Sequence, residues 1–146
     1  MKIALASDHG GFELKEALKE HLTERGLEVI DLGTHSEESV DYPVYGKLCA
    51  ETVASGEADK GIVCCGTGIG ISIAANKVHG IRCAVVATDF MAEYAKRHNN
   101  ANILAMGGRV VTKEDAIRFT DLWLDSPYDG ETQERHARRV AMLDEM

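Results

Sequence analysis

Gly61-Ile62-Val63-Cys64-Cys65-Gly66-Thr67-Gly68-Ile69-Gly70 is an apolar, partly β-branched run that breaks into three glycines within five residues. It reads as a strand ending at Cys65, a tight loop over 66–70 and a helix from Ile71 to Lys77. The same alternation extends in both directions. Residues 2–6, 28–32, 82–87 and 102–106 form further short strands. Between them lie helical patterns from Gly10 to about Arg25, carried by Phe12, Leu14, Leu18 and Leu22, and from Asp89 to Arg97. Gly26 sits where a helix closes, and Pro43 suits the first turn of a helix that runs to Ser55-Gly56. Two more helices are expected over 113–124, with Trp123, and over 131–145. Strand–helix alternation with short connections implies an α/β domain, a five-stranded parallel sheet covered by helices on both faces. Ligands of such sheets bind beyond the carboxyl ends of the strands. Ser7-Asp8-His9, Cys64-Cys65-Gly66 and Met106-Gly107-Gly108-Arg109 should therefore face one crevice.

The 146 residues suit one domain, 1–146, with no internal repeat or linker. A hydrophobic fraction of 45% is enough for a sizeable core. A net charge of −8 argues against a nucleic-acid partner. No apolar run approaches the roughly 18–20 residues of a membrane span, and the N-terminus turns polar too soon for a secretory signal. The expected location is the cytoplasm, where the four cysteines are reduced thiols.

The glycine loop can point N–H groups inward at the positive end of a helix, which suits a phosphate, a carboxylate or a developing enolate oxygen. It is neither a P-loop nor a dinucleotide fingerprint, since no Gly-Lys-Ser/Thr follows and position 71 is Ile. A cysteine at the positive end of a helix gains thiolate character, which singles out Cys65. Cys64 should point to the opposite side of the strand, into the core, and Cys49 and Cys83 read as small buried hydrophobes. Adjacent cysteines are not a redox motif, and no paired Cys/His spacing of a metal site appears. Asp8 could handle a sugar hydroxyl or simply cap the next helix. His98 could be an acid–base group or a histidine favoured at a helix C-terminus. Arg135 and Arg139 share a helix face and can reach one anion, or else pair with Glu131, Glu134 or Glu145. Arg109 is a further candidate.

Taken together, Ser7-Asp8-His9-Gly10-Gly11, Asp41-Tyr42-Pro43, Cys65-Gly66-Thr67-Gly68-Ile69-Gly70 with Ala75-Asn76-Lys77, His98-Asn99-Asn100 and Gly108-Arg109-Val110-Val111 resemble type B ribose-5-phosphate isomerases and their galactose-6-phosphate isomerase relatives. The resemblance spans nearly the whole chain. It implies a Rossmann-like three-layer α/β/α sandwich with an extra C-terminal helix, and an aldose–ketose isomerase that needs no metal or organic cofactor. It further implies a homodimer, with further pairing into a tetramer open, and active sites shared between subunits. By position, Cys65 is the base, His98 opens the sugar ring and Asp8 assists. Thr67 and the loop stabilise a cis-enediolate. Substrate contacts fall to Asp8, His9, Gly66, Thr67, Gly68, Ile69, Gly70, Asn99, Arg109, Arg135 and Arg139. One branch of the family places a glutamate base where this chain has Ile71. One departure stands out: the family's glycine pair directly before the last helix's Arg-His is replaced here by Gly130-Glu131-Thr132-Gln133-Glu134. Rival readings are an isomerase of allose 6-phosphate, galactose 6-phosphate or a tetrose phosphate, and a nucleotide-binding module without chemistry.

Overall fold

A computed structural model describes all of residues 1–146. Five parallel strands, β1 (Lys2–Ser7), β2 (Glu28–Asp31), β3 (Lys60–Cys65), β4 (Cys83–Val85) and β5 (Ile103–Gly107), form one sheet in the order β2-β1-β3-β5-β4. The chain first steps from β1 outward to β2, then returns to place β3 on the other side of β1. That reversal opens a crevice at the carboxyl ends of β1 and β3, where open α/β sheets take their ligands.

Alternation along β3 sorts its side chains between two cores. Ile62 and Cys64 join the apolar cluster under α1 (Phe12–Glu24), α4 (Asp89–Arg97) and α5 (Lys113–Asp125), with Leu14, Leu18, Leu22, Phe119 and Trp123. Val63 and Cys65 join the opposite cluster under α2 (Tyr42–Ala54) and α3 (Ile69–Asn76), with Cys49, Val53, Ile71 and Ala75. The opposed facings of Cys64 and Cys65 are as the sequence reading expects. Burial raises the thiols of Cys49, to about 12, and of Cys64. Cys83, expected in the core, is only half-buried on the edge strand.

Several boundaries differ from expectation for local reasons. The first helix is preceded by a 3-10 turn, His9–Gly11, because Asp8 accepts hydrogen bonds from the Gly10 and Gly11 N–H groups at 2.9 and 3.2 Å. α3 begins at Ile69 rather than Ile71, since Gly68 at φ +81° turns the chain directly into the helix. The last helix, α6 (Glu134–Asp144), starts late, because Asp129–Glu131 form a separate 3-10 turn with Asp129 buried. α4 occupies the expected residues, with the Thr88 side chain capping its first turn on Met91 N–H.

Lys15 is a buried charge in this frame. Its side chain is 1% exposed, and its ammonium bonds both Asp31 oxygens at 2.8 and 2.9 Å and Glu16 at 2.8 Å. Burial alone would raise the Asp31 pKa, but hydrogen bonds from Lys15, the Gly33 N–H and Lys19 outweigh it and hold the carboxyl below its ordinary value. No helix is long and apolar enough to cross a membrane.

Candidate active site

Three glycine pairs meet at the carboxyl end of the sheet. Gly10 and Gly11 follow β1, Gly66 and Gly68 follow β3, and Gly107 and Gly108 end and follow β5. Their backbones touch: a Cβ on Gly68 would lie 2.8 Å from the Met106 carbonyl carbon, and one on Gly107 would lie 2.6 Å from that of Thr67. A Cβ on Gly11 would collide with the Cys64 carbonyl, and one on Gly108 with Gly10 O. The loops are stitched by Gly108 N–H to Cys65 O at 2.8 Å and Arg109 N–H to Gly66 O at 3.0 Å. The floor of the crevice is therefore main chain, and main chain is where N–H donors are fixed in direction.

Cys65 lies on this floor, 4% exposed, and its Sγ accepts the Gly68 N–H at 3.1 Å. A donor on sulfur suits a thiolate acceptor. That N–H, expected to face substrate, instead serves Cys65. Thr67 Oγ1 accepts the Ile69 N–H at 3.1 Å, so its hydroxyl hydrogen remains free to donate outward. The Gly70 and Ile71 N–H groups, in the first turn of α3, have no helical acceptor and supply the remaining donors. Asp8 Oδ1 caps the 3-10 turn, one of the two parts foreseen for it, and Oδ2 takes no part in the cap. The Val40 N–H donates to His9 Nδ1 at 3.1 Å, which leaves Nε2 to carry the proton and face outward as a donor. His9, Gly10, Gly108 and Arg109 line a recess of about 370 Å³ that Glu13, Glu37 and Lys113 also border. Arg109 Nη1 lies over Gly66, 3.0 Å from where a Cβ would stand.

The other expected residues are not there. α4 runs antiparallel to the strands and delivers His98 to the amino end of the sheet, beside the start of β5 at Ile103. In the β3–β5 register Ile103 lies opposite Gly61 while Cys65 lies opposite Gly107, four steps or about 13 Å along the strand. Asn99 is at the same end, its carbonyl accepting from Arg82 Nε at 3.2 Å. There α4 and α6 build an aromatic ladder. Phe90 stacks on Tyr94 at 4.4 Å, Tyr94 meets His98 edge-on at 4.6 Å, and His98 stacks on His136 at 4.2 Å. His98 Nε2 is 3.7 Å from Asp129 Oδ2, and Arg97 Nε bonds both Asp129 oxygens at 3.2 and 3.3 Å. Burial, with His98 and Arg135 nearby, lowers the His136 pKa. Arg135 and Arg139 stand exposed on α6 without any ion pair, while Glu134 pairs with Arg138 at 2.7 Å. The sequence reading did not identify Asp129 or His136, which no motif or spacing ties to His98.

One chain thus presents two separated sets of candidate groups. The sequence model of a family described as Ribose/Galactose Isomerase matches residues 3–143. Ribose-5-phosphate isomerase B of Escherichia coli K12 is 50% identical over 142 residues, which cover 97% of this chain and 93% of that protein. A solved structure of Clostridium thermocellum ribose-5-phosphate isomerase B superposes with a TM-score of 0.95 at 54% identity, covering 99% of this chain and 96% of the other. Ribose-5-phosphate isomerase B of Mycoplasma genitalium, solved with ribulose 5-phosphate bound, superposes with a TM-score of 0.92 at 37% identity, covering 99% and 94%.

Proposed function

The chain belongs to the ribose/galactose isomerase family, and from that footing we propose that it interconverts ribose 5-phosphate and ribulose 5-phosphate through a cis-enediolate, with Cys65 as the base. The observation that carries the assignment of the base is the buried Cys65 sulfur, held by a main-chain N–H on a floor of glycine backbone. Its thiolate removes the proton from C2 of the open-chain aldose. Negative charge moves onto the carbonyl oxygen at C1, where the Thr67 hydroxyl and the free N–H groups at the start of α3 stabilise it. The thiol then returns the proton to C1, and a proton passes from the C2 hydroxyl to the C1 oxygen to leave the ketose. Asp8 Oδ2 orients a hydroxyl, Arg109 contacts the substrate, and His9 Nε2 holds the phosphate together with Arg135 and Arg139.

Ring opening needs a further acid–base group, and His98 fills that role only from a second copy of the chain. The same copy brings Asn99 and the paired guanidiniums of Arg135 and Arg139. The lack of ion pairs at both arginines and the position of His98 at the opposite end of the sheet support a homodimer with shared sites; likeness to metabolic isomerases supports placing it in the cytoplasm. Such a pairing is isologous, so one contact completes two sites.

Proton NMR in D₂O tests the reaction directly. Wild-type protein should convert ribose 5-phosphate to ribulose 5-phosphate with solvent deuterium entering the product at C1, and Cys65→Ala should not. Turnover of allose 6-phosphate or galactose 6-phosphate with silence on ribose 5-phosphate would change the substrate and keep the base. Full activity of Cys65→Ala would remove Cys65 from the role.

A further inference from the structure

Three metal-ligating side chains converge at the amino end of the sheet, outside the glycine-floored crevice. His98 comes from the end of α4, Asp129 from the 3-10 turn and His136 from the first turn of α6. One donor atom from each lies within 4.8 Å of the others. Two of the three, Asp129 and His136, are buried, and His136 Nε2 has no hydrogen-bond partner at all. A buried imidazole nitrogen without a partner costs free energy that a ligand would recover. We propose that His98, Asp129 and His136 bind a divalent transition-metal ion of the zinc type, and that the bound ion inhibits isomerisation by occupying His98.

The donor set decides the class of ion. Two imidazoles and one carboxylate suit zinc, cobalt or nickel, and disfavour calcium and magnesium, which demand oxygen. A tetrahedral zinc ion has bonds of about 2.0–2.2 Å and so needs its donors about 3.3 Å apart. The present spread must therefore contract. His98 can supply the movement, since its side chain is 42% exposed and held only by stacking and the 3.7 Å approach to Asp129. That exposure also gives the ion an entry path and a fourth position for water. Arg97 Nε holds both oxygens of the Asp129 carboxylate, orienting it as a hydrogen-bonded carboxylate ligand requires. Binding stands independently of the function proposed above; inhibition rests on the ring-opening role of His98.

The test uses the full-length protein stripped of metal by a chelator. Zinc titrated in a calorimeter should bind one ion per chain, and cobalt should give visible tetrahedral bands without the near-ultraviolet band of a cobalt–thiolate bond. His136→Gln, Asp129→Asn and His98→Gln should each weaken zinc binding at least about tenfold. His98 is half-exposed, so its variant keeps the test informative if either buried substitution unfolds the chain. Cys65→Ala should leave binding intact. Zinc should inhibit ribose 5-phosphate turnover in the wild type, and the residual turnover of His136→Gln should become insensitive to it. A thiolate–cobalt band lost in Cys65→Ala, or zinc affinity unchanged in His136→Gln and His98→Gln, overturns the site. Stoichiometric binding at the three residues with undiminished turnover overturns the inhibition, and with it the acid–base role of His98.

Discussion

At the carboxyl end of the sheet the candidate site groups are held by backbone: Cys65 by the Gly68 N–H, Asp8 by the Gly10 and Gly11 N–H groups, His9 by the Val40 N–H. At the amino end they are held by other side chains: His98 between Tyr94 and His136, Asp129 by Arg97, with Arg135 and Arg139 held by nothing. The first arrangement is rigid before any ligand arrives, because its parts are anchored to strand ends and a glycine floor. The second can reorganise, since rotamers are what define it. A reaction that demands a fixed base and oxyanion donors belongs to the first. Capturing a phosphate and opening rings of varied pose suits the second.

The contrast is broken or sharpened by substitution, and the largest effect belongs to the rigid end. Cys65→Ala should lower kcat by about 10³-fold, in the range expected for loss of a positioned base, with KM little changed. Steady-state kinetics with unfolding curves as control would check it, and a KM-dominated effect would count against the base. His98→Asn should cost about 10²-fold in kcat. Mixing that variant with Cys65→Ala, after unfolding and refolding together, should restore about a quarter of wild-type activity, since half the dimers are mixed and each of those has one intact shared site. No recovery would place both groups in one chain's site. Arg139→Ala should act mainly through KM, raising it about tenfold, the equivalent of about 1.4 kcal/mol of phosphate binding. The smallest catalytic effect is expected at Asp31→Asn, which touches neither end and should keep kcat at 25 °C within about twofold.

Asp31→Asn should instead lower stability by about 2–3 kcal/mol, because the buried Lys15 ammonium is left with Glu16 alone. The pH dependence follows from the lowered pKa of Asp31. Its contribution is complete above the unfolded carboxyl's ordinary value and is lost as pH falls through the lower folded value. Thermal melts between pH 7 and pH 3 should show the wild type losing this increment on acidification and Asp31→Asn lacking it.

The rigid end was also the legible one. The break from Val63-Cys64-Cys65 into glycines announces a strand end and a turn by local rules, and strand alternation alone separates Cys64 from Cys65. α4 lies where expected, over Asp89–Arg97, and the Thr88 cap that fixes its start is itself a local signal. The side-chain end was not legible. His98, Asp129 and His136 are brought together by the packing of a helix end, a turn and a second helix, and no spacing rule covers such a meeting. The expected helix over 131–145 obscured it further, since it gave no separate place to the turn that buries Asp129. Nor does a list of strands give their order, and the order β2-β1-β3-β5-β4 is what sets the crevice beside β1 and β3.

The glycine floor has a consequence for how this enzyme can change. Where two main chains touch, every side chain is excluded at once, so a saturation library across Gly11, Gly68, Gly107 and Gly108 should return almost nothing but the parent residue. Diversification for new sugars is thereby channelled to the rim, where Glu13, Glu37 and Lys113 border the recess. A lineage built on this fold can alter the substrates it accepts far more readily than the machinery that moves the proton.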